Sequence, residues 1–203
     1  MTALSDFCTT IRGWLAIGSD VYPDSVVTSW IRMAEESLSR QLRTAANLQI
    51  DTGTLTENRY LLPADYREMD FVRVASGRPL RYCSRDDFYN PNTPFVDDVK
   101  NCYSFNGNYI LVGPVCTNGT LIEISYYQDV PPLENDLTWV QLKYPTLFLM
   151  YCLQIASLYS VEDERAPVWQ QRAEAIVLEL NVEHMRSKAS GSVMTKRHLR
   201  TFG

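Results

Sequence analysis

The spacing of apolar residues changes twice along this chain. Before residue 46 and after residue 135, apolar side chains recur every three or four positions, which is the repeat of an amphipathic helix. Between Leu48 and Gln128 they alternate, and turn residues separate short runs, which is typical of strands. The chain is therefore predicted to be α+β: a helical bundle of about four helices with an inserted small antiparallel β-sheet and an extended C-terminal arm.

Length and composition fit one globular domain. The chain has 203 residues, of which 45% are hydrophobic, enough to form one core but not two full ones. We predict a single domain over residues 1–186 and a flexible basic arm over residues 187–203. The predicted elements of the domain are helices at 3–17, 24–45, 136–160 and 163–186 and a strand-rich insertion at 48–130.

Each predicted helix has a face assigned to the core and a face assigned to water. In the second helix we expect Glu35, Glu36, Arg40 and Arg43 on the solvent side. The third helix is apolar on nearly all sides, which indicates that it is buried among other elements. In the last helix, the predicted core stripe consists of Val168, Trp169, Ala173, Ile176, Val177 and Leu180.

Three local signals mark turns and a cap within the insertion. Asn106-Gly107 separates two apolar runs and predicts a tight hairpin, because both residue types tolerate positive φ. Asn118-Gly119 repeats this signal before the alternating run Leu121–Tyr127. Ser84 can cap a short helix that reaches Phe88, because a serine hydroxyl accepts an N–H of the first turn.

Charge is distributed unevenly along the chain. The segment from Arg186 to Gly203 carries five basic residues and no acidic one. The other residues carry 14 basic and 24 acidic side chains, a net charge of −10. An acidic body with a basic tail is thus the main electrostatic feature.

The tail also contains large apolar residues that a merely solvating terminus does not need. We therefore predict that it orders on a partner, burying apolar groups and pairing its cations with acids. A solvated, disordered terminus and a nucleic-acid-binding tail remain the alternatives. The residues predicted to dock on a partner are Val193, Met194, Lys196, Arg197, Leu199, Arg200 and Phe202.

The sequence offers little for catalysis, and we predict no catalytic, cofactor-binding or metal-binding residue. His184 and His198 lie at or beyond the end of the last predicted helix, where we expect no core to hold them, and no known catalytic or nucleotide-binding motif occurs. Two acidic pairs leave a metal-dependent hydrolase as a further alternative, although solvated or capping roles are favoured. These pairs are Asp86-Asp87 and Asp97-Asp98.

Other residues that could carry chemistry are assigned to packing. Tyr126, Tyr127, Trp139 and Tyr144 are not interleaved with basic residues, so we expect core or interface packing rather than base stacking. Five cysteines without a CxxC pair indicate reduced core residues. We expect no membrane span and no signal peptide, and hence a protein kept in a cytoplasm.

A series of short motifs occurs in order between about Leu61 and Leu180, together with the long aromatic helix. The motifs are Leu62-Pro63-Ala64-Asp65-Tyr66, Pro79-Leu80-Arg81-Tyr82, Tyr109–Pro114, Ile124-Ser125-Tyr126-Tyr127, Pro131-Pro132-Leu133 and Glu162-Asp163-Glu164-Arg165. Taken in this order, they resemble the head-tail adaptor proteins of tailed bacteriophages.

This resemblance implies a structural virion protein without catalytic residues. Such adaptors form a homo-oligomeric ring, usually a dodecamer, between the portal protein and the tail or nozzle proteins at the virion neck. The ring extends the DNA channel, and a C-terminal arm docks on the portal. Assembly is expected in the host bacterial cytoplasm, with DNA passing through the channel without specific binding, since an acidic body avoids multiple phosphate contacts.

Overall fold

A computed structural model describes residues 3–16, 18–75, 77–89, 102–113, 118–133, 137–159 and 165–190. The chain divides into two compact units. The helical unit comprises Met1–Ala34, Gln41–Ala45 and Glu134–Gly203, and the sheet unit comprises Glu35–Arg40 and Ala46–Leu133. Among the described residues the fold is α+β, with six helices and seven strands.

Two helices precede the strands, three follow them, and one short helix lies within the strand-rich insertion. Helix α3 belongs to the sheet unit, and Glu35–Arg40, near the C-terminal end of α2, is also assigned to that unit. The bounds are α1 Ala3–Leu15, α2 Asp24–Gln41, α3 Arg85–Tyr89, α4 Trp139–Lys143, α5 Pro145–Ser157 and α6 Ala166–Ser190.

The predicted helix 136–160 is divided at Pro145. Proline lacks an N–H and disfavours helical backbone in the preceding residue, and Tyr144 accordingly has φ −133° and ψ 54°. Helix α4 therefore ends at Lys143, and α5 begins with Pro145 in its first turn. The apolar pattern ran through this break without interruption, so periodicity alone did not show it.

Other helix ends also differ from the predicted bounds. Helix α1 ends at Leu15 rather than at residue 17, because Ala16 has a positive φ of 57°. Helix α2 ends at Gln41 rather than at residue 45. Helix α6 continues to Ser190, so residues 187–190 of the predicted arm are helical. No glycine or proline interrupts the sequence between Pro167 and Gly191, which allows the helix to continue that far.

The strands form two sheets in place of the single predicted one. The first sheet has the order β1-β7-β3 and the second β2-β6-β5-β4. The strands are β1 Leu48–Thr54, β2 Arg59–Leu61, β3 Tyr66–Val74, β4 Arg81–Tyr82, β5 Cys102–Asn106, β6 Tyr109–Gly113 and β7 Leu121–Gln128.

One strand pair departs from the predicted antiparallel arrangement. Strand β4 runs parallel to β5, with Arg81 opposite Cys102 and Tyr82 opposite Tyr103. The connection from β4 to β5 passes through α3, and a parallel pair requires a crossover connection of about this length. The remaining strand pairs among the described residues are antiparallel, as predicted.

The local turn and cap predictions are confirmed. Asn106-Gly107 joins β5 to β6, and Gly107 has φ 59°. Gly119, with φ 84°, precedes β7. Ser84 caps α3, because its Oγ accepts the Asp87 N–H at 3.1 Å.

The sheet unit encloses its apolar residues between its own two sheets. Strand β7 of the first sheet contributes Ile122, Ile124 and Tyr126, and strand β6 of the second sheet contributes Ile110 and Val112. The cluster contains Leu55, Val72, Tyr103, Ile110, Val112, Ile122, Ile124 and Tyr126. Residues of both sheets thus form one core.

Glu35 is buried, which contradicts its predicted position on the solvent side of α2. Its side chain belongs to the sheet unit and is only 5% exposed. Oε1 of Glu35 accepts the N–H of Leu133 at 2.6 Å, and nearby Ser39 Oγ accepts the N–H of Val130 at 2.8 Å. These two side chains satisfy backbone groups on either side of Pro131-Pro132, which have no strand partner there.

No helix of the described residues is both long enough and apolar enough to cross a membrane.

Candidate docking site

The site begins at helix α6, because all seven predicted docking residues follow it in sequence. Val193, Met194, Lys196, Arg197, Leu199, Arg200 and Phe202 lie outside the described residues. What the structure does describe is the helix that carries the arm, up to Ser190. The position and the surfaces of that helix determine from where the arm can reach a partner.

The first turn of α6 is fixed by Arg165. Its carbonyl oxygen accepts the N–H groups of Val168 and Trp169 at 3.0 and 3.1 Å. Its guanidinium carbon lies 4.9 Å from the centroid of the Trp169 ring, a cation–π contact. Pro167 is tolerated here because a first-turn residue needs no N–H partner within the helix.

One face of α6 is buried inside the helical unit. Trp169, Ala173, Val177 and His184 are all less than 9% exposed and recur at helical spacing. Three of these residues belong to the predicted core stripe. Val168, also predicted for that stripe, is 60% exposed, and Ile176 and Leu180 are half-buried.

Asn181 fastens α6 to the end of α2. Its Oδ1 accepts the backbone N–H of Arg43 at 2.7 Å, and its Nδ2 donates to the carbonyl of Gln41 at 2.8 Å. The Gln41 side chain in turn accepts the Tyr151 hydroxyl at 2.8 Å, which adds α5. The amide thus satisfies a donor and an acceptor at the terminus of α2, where the helix leaves backbone groups unpaired. The arm therefore follows a helix that Asn181 holds in place about two turns before its last residue, Ser190.

His184 is buried, contrary to the expectation that no core surrounds it. The side chain is 6% exposed and lines a groove of about 260 Å³ together with Thr44, Tyr144 and Leu180. The prediction failed because α6 is longer than expected, which places His184 inside the helix rather than at its end. His198 lies outside the described residues.

The opposite face of α6 is also apolar, but it is exposed. Leu178 and Met185 are each 65% exposed, and Val182 is 37% exposed. They lie on the side of the helix away from Trp169 and Val177, given 100° of rotation per residue. These side chains form a row of exposed apolar residues along one side of α6.

The end of α6 carries the first two bases of the basic tail. Arg186 and Lys188 are exposed and lie in the last two turns. Cations at this end are favoured by the partial negative charge of the helix C-terminus, typically by about 0.3–1 kcal/mol at exposed sites. The positive segment therefore begins on an ordered helix and not only in the arm.

The acidic pairs do not form a metal site within the described residues. Asp86 and Asp87 lie in the first turn of α3, where Asp87 also accepts the Ser84 hydroxyl at 2.6 Å. Asp97 and Asp98 lie outside the described residues. In the part of the chain that is described, no group of three or more His, Cys, Asp or Glu side chains could hold a metal ion.

Tyrosines of the sheet unit are engaged in packing and in hydrogen bonds to acids. Tyr126 is buried and donates to Asp65 Oδ1 at 3.0 Å, while half-buried Tyr60 donates to Asp51 Oδ2 at 2.6 Å. Burial, followed by the hydrogen bond to Asp51 and its charge, raises the pKa of Tyr60 to about 12. The same three causes, with Asp65 as the acid, raise the pKa of Tyr126. Both phenols thus remain neutral donors at ordinary pH.

The described cysteines are reduced and form no disulfide with one another. Cys8, Cys102 and Cys152 are buried, and Cys83 is half-buried. Burial first, and then a hydrogen bond to Cys102, raise the pKa of Cys83 to about 12. A thiol with so high a pKa is a poor nucleophile at neutral pH.

Two features of the site were missed in the sequence. Asn181 is a poor helix former inside an otherwise regular helix, which is a signal that a specific contact holds it. Leu178, Val182 and Met185 follow a helical repeat of their own, so the sequence already indicated that α6 is apolar on two faces. The prediction assigned only one apolar face to this helix.

Comparison with known proteins gives a family. The family model described as SU10 adaptor protein matches residues 2–196, which is nearly the whole chain and includes both units. Comparison with curated protein sequences gives no match. The match extends the resemblance noted above from about Leu61–Leu180 to both ends of the chain. The chain therefore belongs to the SU10 adaptor protein family and is a phage adaptor, a structural protein.

Proposed function

We propose that this chain is a non-enzymatic subunit of a ring, usually a dodecamer, that joins the portal protein to the tail or nozzle proteins at the virion neck. The observation that carries this proposal is the family match over residues 2–196. The two units act together as one adaptor domain over residues 1–186. Assembly takes place in the host bacterial cytoplasm, before the ring joins the particle.

The C-terminal arm docks on the portal in this proposal. Two features support this: helix α6, which precedes the arm, is held in place, and the arm sequence is basic and partly apolar. Asn181 fixes α6 two turns before its end, and Arg186 and Lys188 begin the positive charge on that helix. In a ring, many such arms act at once, so weak individual contacts produce a stable joint through high effective concentration.

The ring extends the DNA channel without binding the DNA specifically. The net charge of −10 outside the basic tail supports this, because carboxylates prevent the multiple phosphate contacts that hold DNA on a protein. DNA can slide through a channel only if the channel wall does not bind it tightly. Nucleic-acid binding by the basic tail is the competing function, and it predicts DNA affinity that disappears with the tail.

Removal of residues 191–203 tests the docking role of the arm. The truncation starts directly after α6, so it removes no residue of a described helix or strand. We expect a folded protein with an unchanged circular dichroism spectrum that no longer co-purifies with the portal protein. Undiminished co-purification of the truncated protein would remove the arm from the proposal.

Two substitution sets separate the chemistry of the arm. The first set replaces Lys196, Arg197 and Arg200 by glutamine, and the second replaces Val193, Met194, Leu199 and Phe202 by serine. Docking by an arm that orders on the portal requires both sets, so both variants should lose portal binding. A DNA-binding tail predicts instead that only the first set matters, and that a steeply salt-dependent gel retardation of DNA is lost with it.

A further inference from the structure

Helix α6 carries a continuous exposed apolar stripe, defined by Leu178, Val182, Met185 and Ala189. The spacings between these residues are four, three and four, which is the repeat that places side chains along one seam of paired helices. The stripe extends about 16 Å along the helix axis at 1.5 Å per residue. Val182, Met185 and Ala189 line one surface depression.

The stripe is separate from the buried face that holds α6 in the helical unit. Val177 and His184 belong to that face, and Leu178 and Met185, each the next residue in sequence, lie about 100° further around the helix. The buried face is already covered by the chain itself, whereas 65% of Leu178 and 65% of Met185 remain exposed. The stripe thus has the residues and the length of a helix–helix contact but no covering partner among the described residues.

We propose that the α6 stripe is the surface through which one copy of this chain packs against the next copy. This inference rests on the proposed ring. A cyclic ring repeats one head-to-tail contact between two different surfaces of each copy, and the stripe is one of the two. The receiving surface is on the neighbouring copy.

Charge on helix α6 favours a second copy as the partner. Before α6, residues 1–165 carry 13 basic and 21 acidic side chains, a net charge of −8, so two copies repel each other over most of their surfaces. Helix α6 is an exception, since its exposed acids and bases balance. They are Glu174, Glu179 and Glu183 on the acidic side and Arg172, Arg186 and Lys188 on the basic side.

Small side chains at the ends of the stripe also suit a helix as the partner. Ala189 is exposed at one end, and exposed Ala175 lies one turn before Leu178 at the other. Alanine lets a second backbone approach to the 8–10 Å separation of packed helices, while Leu178 and Met185 fill the space between. The balanced charges of α6 also let a helix of the neighbouring copy approach without net repulsion.

The test uses the full chain with Leu178→Glu and Met185→Glu combined. Both side chains are largely exposed, so the substitutions should leave the melting temperature within about 2 °C of wild type. The matched control combines Ile50→Glu and Leu121→Glu, which adds the same two charges at apolar residues that are each 64% exposed in the sheet unit. Each protein is co-expressed with the portal protein, and complexes are measured by electron microscopy and sedimentation velocity.

We expect the wild type and the control to form closed rings and the stripe variant to form none. Mixed with wild type at one to one, the stripe variant should lower the yield of closed rings by about tenfold or more, because each copy that enters through its intact receiving surface ends the ring. The control should not interfere in this way.

Several results would overturn the inference, each in a different way. Closed rings formed by the stripe variant alone would exclude the stripe as the contact between copies, while leaving the proposed function intact. Rings that form but fail to join the portal would make the portal the partner of the stripe. Equal loss of rings in the control would show a nonspecific effect of added charge. A wild-type chain that forms no ring would remove the proposed function together with this contact.

Discussion

The core of the sheet unit and helix α6 of the helical unit place their apolar residues differently. The sheet unit packs Ile110, Val112, Ile122 and Ile124 between its two sheets, and these side chains are at most 2% exposed. Helix α6 buries one apolar face and leaves another, around Leu178, largely exposed. The sheet core is therefore covered by the chain itself, whereas α6 presents apolar surface that another molecule can cover.

This difference separates residues that serve folding from residues that serve assembly. A buried apolar side chain contributes to the stability of the isolated chain, because its contacts exist in every folded copy. An exposed one contributes little until a partner arrives. Substitutions in the buried core should therefore strongly affect unfolding without a specific effect on assembly. Substitutions on the exposed face of α6 should affect assembly and have little effect on unfolding.

The largest expected effect on stability comes from Ile124→Ala in the sheet unit. Ile124 is fully buried on the central strand β7, and its truncation leaves a cavity between the two sheets. We expect the free energy of unfolding to fall by about 2–5 kcal/mol. Urea denaturation followed by far-ultraviolet circular dichroism measures this change.

The control for Ile124 is Ile50→Ala on β1 of the same sheet. Ile50 is 64% exposed, so its truncation should change the free energy of unfolding by less than about 0.5 kcal/mol. Equal losses for the two variants would contradict the picture of a sheet unit that is stabilised by its enclosed core.

Asn181→Ala is expected to have the next largest effect. The substitution removes the acceptor of the Arg43 N–H and the donor to the Gln41 carbonyl. Loss of these two hydrogen bonds should reduce the free energy of unfolding by about 1–3 kcal/mol, because backbone groups at the end of α2 lose their partners. Tryptophan fluorescence is a suitable probe, since all four tryptophans lie in the helical unit.

Asn181→Asp sharpens this prediction. The carboxylate retains an acceptor for the Arg43 N–H, but its second oxygen faces the Gln41 carbonyl at the negative end of α2, so it should destabilise the chain at least as much as Asn181→Ala does. If both variants unfold at the same denaturant concentration as wild type, Asn181 does not hold α6 in place.

Features that depend on neighbouring residues could be predicted from the sequence, and features that depend on distant ones could not. The Asn106-Gly107 hairpin and the Ser84 cap were predicted correctly, because positive φ and an N-terminal hydroxyl act within a few residues. Glu35 was misplaced because its partner, the Leu133 N–H, is 98 residues away. The parallel pairing of β4 with β5 was also missed, since alternation gives a strand but not its partner.

Tyr60→Phe tests the hydrogen bond between a tyrosine and an acid in the sheet unit. The substitution removes the donor to Asp51, and at neutral pH we expect a loss of about 1 kcal/mol in the free energy of unfolding. Since Tyr60 is only half-buried, solvent screening keeps the effect at this modest size.

The effect of Tyr60 should depend on pH in one direction. Its pKa rises from about 10 in the unfolded chain to about 12 in the folded one, so the protonated form favours folding. The stabilising contribution is complete below pH 10 and is lost as the pH rises to 12. The difference in unfolding free energy between wild type and Tyr60→Phe should therefore shrink over this interval, and a difference that grows there would contradict the assigned hydrogen bond.

The candidate site was predicted only in part, for a reason visible in α6 itself. A helical repeat shows that a face is apolar, but it does not show whether the same chain or another molecule covers it. Trp169 and Val177 were correctly assigned to the core, whereas Val168 was wrongly included and Leu178 and Met185 were left out. The predicted docking residues from Val193 to Phe202 remain a prediction.

Leu178→Ser is expected to have the smallest effect on stability of all these substitutions. With 65% of the side chain exposed, its truncation removes little apolar area from the folded chain, and the free energy of unfolding should change by less than about 0.5 kcal/mol. In an assembled ring the same side chain would lie within a helix contact, and serine would there replace buried apolar area with a hydroxyl. The variant should thus unfold like wild type in urea yet require a higher protein concentration to form rings in sedimentation velocity.

The control is Val177→Ser, one residue away at a buried position. This substitution should clearly destabilise the monomer, whereas Leu178→Ser should mainly affect ring formation. If Leu178→Ser instead destabilises the monomer as much as Val177→Ser does, the stripe is part of the fold rather than a docking surface.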